Sequence, residues 1–416
     1  MRNVYSKAAF CIAATSAQSG DVGLFVNRDA YGYTPVTVEA TWPLREKGYK
    51  PQWPDPGTYL FGFPQKPDLS TLNYSALNKR AWVAQERFLS QRILHFTDSV
   101  LFWECHTSFT NENSTNLDFL SGIQTSSSAP NALKRLINHV RLSLSAVVSN
   151  VDGALCRNSD TIKPTASRQV LLAWEEFLEL YTRCDMTKES DVLVALTGIA
   201  EEVGSVISDR LVAGLWRARL IEEMCWGSWT LNRRPVVWRA PSWSWASVIG
   251  PVSYRVFPWE PRVPLWQSMS TVIEVDVSTK PSGEIERGSI LLECRCISAS
   301  IIYLAPPNLP EFWSSTNEEV WPTLTKAPLP ELWNPTSYGV FPIDFDAPNG
   351  RARDSYDVQL IVLLQSEGSL RGICVVESSN QPGAFERIGS FNLGAGFEET
   401  VVAAYKEAGV QKVLLV

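Results

Sequence analysis

LNKRAWVAQERFLSQRILHFTDSVLFWEC, residues 77–105, carries two periodicities one after the other. Asn78 is placed to cap a helix running from about Lys79 to Leu89. On that helix Trp82, Gln85, Glu86 and Leu89 share one face through their i, i+3, i+4, i+7 spacing. RILHF (Arg92–Phe96), a Thr97-Asp98-Ser99 turn and VLFWEC (Val100–Cys105) then alternate as the two arms of a β-hairpin. A helix delivered straight into an antiparallel pair sets the expectation of an α+β chain.

Upstream, Val4, Tyr5 and Ala8 sit at helical spacing, and AFCIAATSA (Ala9–Ala17) reads as a buried strand. That pair looks like the tail of an α/β unit whose earlier strands are absent. Residues 18–75 are rich in Gly, Pro and aromatics and predict a long connection with short strands. Residues 107–130 are Ser/Thr/Asn-rich and read as a loop.

Downstream, one helix is expected over about Asn131–Val148 and a second over Ser167–Arg183, striped by Val170, Trp174, Phe177, Leu178 and Tyr181. A third starts at Thr187 as cap, with Glu189 and Asp191 in its first turn, and buries Val192, Leu196, Ile199 and Val203. A fourth, Val212–Trp226, carries Leu215, Trp216, Leu220 and Met224. APSWSWASVIG (Ala240–Gly250) alternates as a strand does, and TVIEVDV, SILLECRCISASIIYL, VQLIVLL, GICVVES and AFERIGSFNL are further strand candidates. Pro306–Pro348 is proline-rich and irregular. The expected divisions are 1–30, 31–130 (a connection with helix and hairpin), 131–232 (helical) and 233–416 (an antiparallel β-rich domain).

The 416 residues include 44 acids against 37 bases, a net charge of −7, with no basic stripe to track nucleic acid or an anionic membrane. No window reaches the 18 or so apolar residues of a membrane span. Eight scattered cysteines suit reduced thiols, and the N-terminal apolar run is short and broken by Thr15 and Ser16, so a cytoplasmic protein is expected.

Arg80, Trp82, Gln85, Glu86 and Arg87 form the densest candidate cluster. Gln85 and Glu86 can line a nucleotide pocket while Arg80 or Arg87 grips a phosphate. The favoured alternative is structural, with Trp82 and Leu89 packing while Glu86 pairs with an arginine to lock the helix to the hairpin, because paired charges perturb each other without catalysis. Trp243 and Trp245, two apart, are expected on one strand face as core mass. The histidines are His95, His106 and His139, and Cys105 and His106 point to opposite faces of a strand. Cys294-x-Cys296 lacks zinc spacing, no second Cys/His pair lies nearby, and no Gly-rich phosphate loop is present, so no metal site is expected.

An ordered set of blocks resembles the fungal heterokaryon-incompatibility (HET) family. They are M-x-x-V-Y-S-x-A at Met1–Ala8, I-A-A-T at Ile12–Thr15, G-L-F-x-x-R at Gly23–Arg28, and L-N-K-R-A-W-x-x-Q-E-R-x-L-S-x-R-x-L-H-F at Leu77–Phe96. L-F-W-E-C at Leu101–Cys105, containing Trp103, follows, then Y-T-x-C-D-x-T-x-x-S-D at Tyr181–Asp191 and A-L-x-G-I-A at Ala195–Ala200. A-G-L-W at Ala213–Trp216 and A-P-S-W-S-W-A-S at Ala240–Ser247 complete the set.

The resemblance implies non-self recognition leading to programmed cell death in a filamentous fungus. HET domains look distantly similar to Toll/interleukin-receptor (TIR) domains, some of which cleave NAD with a helix-borne glutamate. The family's opening Leu-Ser-Tyr-Cys-Trp-Gly and Trp-Ile-Asp-x-x-Cys-Ile blocks, and that carboxylate, would lie upstream of Met1. Residues 1–30 are then the rear remnant of a TIR-like α/β domain. The implied chain is a truncated, non-catalytic regulatory or binding form with protein partners such as full-length relatives, and NAD is a cofactor only where the front half is present. The alternative is an NAD-cleaving or hydrolytic enzyme with a pocket between the helical and β-rich regions, using Glu86 and the nearby arginines.

Overall fold

A computed structural model describes residues 2–27, 36–41, 57–61, 72–112, 130–149, 159–228, 232–254, 266–304, 321–326, 344–345, 355–366, 369–393 and 404–416. The chain is α+β. Helix α1 (Arg2–Lys7) leads into strand β1 (Cys11–Ala14), as the first residues predict, but the strand is not the buried one expected, since Ile12 is exposed and its other residues are half-buried. Strands β2 (Val36–Ala40) and β3 (Gly57–Phe61) pair as a separate antiparallel ribbon. A 3-10 turn at Leu77–Lys79 precedes helix α2 (Ala81–Leu89). Strands β4 (Arg92–Phe96), β5 (Leu101–Cys105) and β6 (Phe109–Asn111) follow. They join β1 in a four-stranded sheet of order β1-β4-β5-β6, with β1 parallel to β4 and the other pairs antiparallel.

The predicted hairpin is present, its turn closed by Thr97, whose hydroxyl accepts from Val100 N (3.1 Å) and donates to Val100 O (2.6 Å). Asn78 does not cap α2. Its side-chain amide donates to Leu72 O at 2.7 Å, and Arg80 takes the N-cap position without a side-chain bond. The helix start is held from outside instead, by Ala81 N to Asp185 O (3.1 Å) and Asp185 N to Lys79 O (2.6 Å). Leu77–Trp82 and Tyr181–Asp185, far apart in sequence, are therefore stitched backbone to backbone.

Four more helices are α3 (Pro130–Ser149), α4 (Ser159–Tyr181), α5 (Thr197–Ile207) and α6 (Leu220–Glu223). The α4 stripe of Val170, Trp174, Phe177, Leu178 and Tyr181 is buried as its period predicts. The third expected helix is broken. Glu189–Val192 is a 3-10 turn following Lys188 rather than a helix capped by Thr187, and α5 starts only at Thr197. Leu196, Ile199 and Val203 still line the core.

The fourth expected helix is replaced at its start by a tight hairpin of β7 (Leu211–Val212) and β8 (Leu215–Trp216). Ala213 and Gly214 both take positive φ, 49° and 91°, the conformation of the two-residue turns whose twist matches paired strands. A Cβ at Gly214 would stand 3.0 Å from Trp245 Nε1. Gly214→Ala is therefore expected to cost about 1–3 kcal/mol, read as a lower urea midpoint with unchanged slope.

Trp245 explains a second departure. Ala240–Ser247 is a turn followed by a 3-10 turn at Trp245–Ser247, not a strand. Ser244 Oγ accepts from Ala246 N (3.0 Å) and donates to Ala213 O (2.6 Å), while Trp245 Nε1 donates to Gly214 O (2.8 Å). Side-chain bonds to nearby backbone offer serine an alternative to a strand ladder. Both Trp243 and Trp245 are buried, so their core role holds although the strand does not.

The remaining strands are β9 (Gln267–Ser268), β10 (Thr271–Thr279), β11 (Ile285–Leu304), β12 (Trp321–Lys326), β13 (Asp344–Phe345), β14 (Ser355–Ser366), β15 (Ser369–Glu377), β16 (Ala384–Leu393) and β17 (Val410–Leu415). Through Ile290–Arg295, β11 pairs with β17, and through Cys296–Ile302 it pairs with β14. The ring β11-β17-β16-β15-β14 thereby closes on itself. Its ladders are antiparallel except β16–β17, which is parallel, so the β-rich region is not purely antiparallel. Ile297, Ala299, Val358, Leu360, Cys374 and Phe391 pack together as one cluster. Ile361 and Leu363, on the alternate face of β14, belong instead to the main core, which runs from Phe88 and Trp174 through Trp216 and Trp245 to Ile290 and Leu415.

Candidate functional site

The hairpin places Phe102 and Glu104 on its inward face together with Ile93 and His95 of β4. Helix α2 brings Arg87 over that face, α3 brings Lys134, and the end of β1 brings Thr15. Arg87 Nε donates to Glu104 Oε2 at 2.7 Å, His95 Nε2 lies 3.2 Å from the same oxygen, and Thr15 Oγ1 lies 3.0 Å from His95 Nδ1. Lys134 Nζ stands 3.9 Å from Glu104 Oε1, an ion-pair distance too long for a hydrogen bond. It donates instead to the carbonyls of Arg87 (3.1 Å) and Ser90, the last residues of α2, where a cation also meets the negative end of the helix dipole.

Burial alone would raise the Glu104 carboxyl, but Arg87, the His95 hydrogen bond and Lys134 hold it well below the usual carboxylate range. Burial lowers His95 against the pull of Glu104, so the imidazole is neutral at pH 7. With the carboxylate ionised, the ring proton belongs on Nε2, leaving Nδ1 to accept from Thr15. A hydroxyl, an imidazole and a carboxylate in line is the arrangement that activates a nucleophile. Here Thr15, His95 and Glu104 are 0%, 1% and 1% exposed, which leaves the hydroxyl no approach for a substrate. The network is a tie between β1, α2, the hairpin and α3.

The predicted cluster is divided among three environments. Arg80 is exposed at the head of α2, Glu86 is half-buried, and Arg87 is buried. Among the described residues, Glu86 has no arginine at ion-pair distance. It accepts from the Tyr5 hydroxyl of α1, and burial together with Glu86 pushes that phenol up to about 12. The lock to the hairpin is Arg87 with Glu104. Gln85 is buried against Gly198 of α5, where a Cβ would collide with its amide nitrogen. Trp82 is half-buried, so the expected stripe is not the buried face: Ala81, Val83, Gln85, Arg87, Phe88 and Leu89 are covered because α1, α3 and α5 pack around the helix. Asp191 is half-buried with Lys188 Nζ 3.4 Å away, and Trp216 is buried against Trp174 with ring centroids 5.1 Å apart.

Sequence reasoning missed Glu104, Lys134 and Thr15 and named His95 without giving it a role. One signal was available: the alternation of LFWEC puts a carboxylate on the Phe102 face.

A small cleft of about 50 Å3 opens between the start of α2 and the C-terminal end of α4. Phe177, Leu180 and Tyr181 supply its apolar wall, and Lys79, Arg87 and Arg183 its charged groups. Arg87 Nη1 reaches Asn73 Oδ1 there at 3.3 Å. The cleft lies within the helical block rather than between it and the β-rich region.

The outward face of the β1-β4-β5-β6 sheet is apolar. Ile12, Leu94, Trp103 and Thr110 form one row across it by register, and Ala14, Phe96 and Leu101 form the next. All are half-buried except Ile12, which is 54% exposed, and Phe10 (54%) and Val4 (68%) extend the patch. Phe25 meets Phe96 edge-on at 5.7 Å but is itself 84% exposed. The outer edge of β1 has no strand partner among the described residues.

A second buried group lies where α6 meets the β-rich region. Tyr254 donates to Glu223 Oε2 at 3.2 Å, and burial, then Glu175, push the Glu223 carboxyl up to about 8. Nearby, the fully buried Arg387 guanidinium lies over the Trp226 ring at 3.4 Å and donates to the Trp226 carbonyl.

Among the described residues, no three His, Cys, Asp or Glu side chains gather to hold a metal, and no helix is long and apolar enough to cross a membrane. No family model, curated protein or solved structure matches this chain.

Proposed function

We propose that this chain is a protein-binding, regulatory form of a HET-type protein in fungal non-self recognition. In this reading it docks a partner strand and its apolar layer on the outward face of β1 and on the edge that has no strand partner among the described residues. The observation that carries this reading is the exposed apolar patch of Val4, Phe10 and Ile12, continued by the half-buried Trp103. Parallel strands are normally covered on both faces, and contiguous apolar patches mark interaction sites. An unpaired edge offers main-chain groups that a partner strand can meet by β-addition.

The resemblance supplies the context. Its helix–hairpin block and its Tyr181–Asp185 block meet in space through the Asp185 backbone bonds. The α1–β1 pair feeds a parallel ladder with β4, as an α/β unit does. The natural partner is a full-length relative with an α/β sheet of its own. A catalytic reading centred on Glu86 has less support, because Tyr5 engages Glu86 and Glu104 engages Arg87.

The test is binding to a full-length HET-type protein, with co-expression in a fungus as the readout of cell death. Ile12→Lys and Trp103→Glu alter half-buried or exposed positions, so the fold should persist. Each is expected to weaken binding by about tenfold or more and to abolish any effect on killing. Binding and killing unchanged in both variants would sink the proposal.

A further inference from the structure

We infer that Cys294 and Cys296 form a binding site for a thiophilic monovalent metal ion, Cu(I), at the point where β11 exchanges its partners. The i, i+2 spacing that rules out zinc places both thiols on one face of the strand, and their Sγ atoms lie 3.9 Å apart. Pairing with β10 ends at Glu293 and with β17 at Arg295, while pairing with β14 begins at Cys296. Cys294 belongs to the main core and is 2% exposed, whereas Cys296 is half-buried against it. The Cys296 thiol is hydrogen-bonded to the side chain of Gln411, an exposed residue, so the pair is reached from the surface on that side.

Soft thiolates select Cu(I), which is satisfied by two or three ligands, whereas a structural zinc asks for four. Among the described residues no third His, Cys, Asp or Glu joins the pair. Metal–sulfur bonds of about 2.3 Å to sulfurs at the observed separation meet at about 115°, near the angle of a trigonal site. The third position falls to water or to a small thiol arriving on the Gln411 side. A disulfide fits less well. Residues two apart on a strand have Cα atoms about 6.4–6.8 Å apart, the far end of what a disulfide spans, and its sulfurs sit at about 2.05 Å. Closing it would buckle β11 between its ladders, while a metal ion leaves the strand as it is. Binding exchanges protons for metal: two thiols release two protons to one Cu(I), nothing is oxidised, and a bis-thiolate of net charge −1 results. The Cys296 proton leaves first, because the hydrogen bond from Cys294 holds that thiol below its ordinary range and holds Cys294 above it. Affinity should therefore fall as pH drops. The site shares no residue with the β1 patch, so it stands apart from partner docking.

The experiment titrates the reduced full chain with Cu(I) under argon, with bicinchoninate as a coloured competitor. The chain is expected to withdraw one tightly held equivalent from the competitor and to gain a thiolate-to-copper absorption in the near ultraviolet. Cys296→Ser and Cys294→Ala should each weaken that binding on the order of 100-fold. Cys105→Ser, which removes a half-buried thiol elsewhere, should leave it unchanged. Cys296 is half-buried, so Cys296→Ser should keep the fold, and matching urea unfolding curves check this. Cu(I) held as tightly by Cys296→Ser as by the parent, an equal loss in Cys105→Ser, or no withdrawal from the competitor would each overturn the inference. Closure of the pair to a disulfide by oxidised glutathione, with no Cu(I) uptake by the reduced chain, would overturn it in favour of thiol exchange.

Discussion

Glu104→Gln is expected to destabilise the protein by about 3–5 kcal/mol in urea unfolding at pH 7. The substitution keeps the shape and removes the charge, so Arg87 and Lys134 are left as buried cations with no anion. That is the costly half of a buried ion pair. Taking away both partners is different, because apolar side chains of similar volume avoid the desolvation of either charge. Arg87→Met combined with Glu104→Met removes the nearer cation together with its anion and leaves only Lys134 unmatched, so it is expected to recover part of the loss. A double substitution as damaging as the sum of the singles would show that the pair is not the source. The same carboxylate governs the acid limb. Held below its unfolded value, Glu104 contributes fully above the unfolded carboxylate range, and that contribution is lost as pH falls. His95, held below its ordinary value, adds a loss that begins as pH drops past 6.5.

The alkaline side has the opposite sign and a different residue. Glu223 is raised from 4.5 to about 8, so between those values the folded chain holds a proton that the unfolded chain has released. Each pH unit across that window lowers stability by up to about 1.4 kcal/mol, a total of roughly 5 kcal/mol. Glu223→Gln keeps a neutral acceptor for Tyr254 and has no proton to lose. Its gain over the parent should grow from near zero at pH 5 to several kcal/mol at pH 8, measured by denaturant unfolding across the range. A parallel pair of pH profiles would refute the assignment.

The α4 stripe was legible because its burial is one-sided and follows the 3.6-residue spacing, while β14 and β15 were legible as short continuous apolar runs, buried on both faces. What misled was local chemistry that imitates a period. Ser242, Trp243, Ser244 and Trp245 alternate like a strand, yet Ser244 spends its hydroxyl on Ala246 N and Ala213 O. Leu215, Trp216, Leu220 and Met224 look helical, but Ala213-Gly214 reverses the chain before a helix can start. The site was half visible. Density of charge singled out both Arg87, which the buried network includes, and Glu86, which it does not, because α2 is covered on several sides and adjacent residues fall into different surroundings. Lys134 lay beyond reach from sequence, since only tertiary packing carries α3 across the end of α2.

The ring closed by β11 has a consequence for how the chain acquires its shape. Ile290 of β11 meets Leu415 of β17, while the other half of the same strand meets β14. During synthesis, β11, β14, β15 and β16 all leave the ribosome before the strand that seals them. Until then the first half of β11 and the open side of β16 present unmet main-chain groups, and closing so long a loop is entropically slow. The four-stranded sheet and helical block need no such wait, apart from the face that the ring covers. The protein should therefore assemble front first, with its β-rich half passing through a sticky, half-closed stage in which a chaperone is most useful.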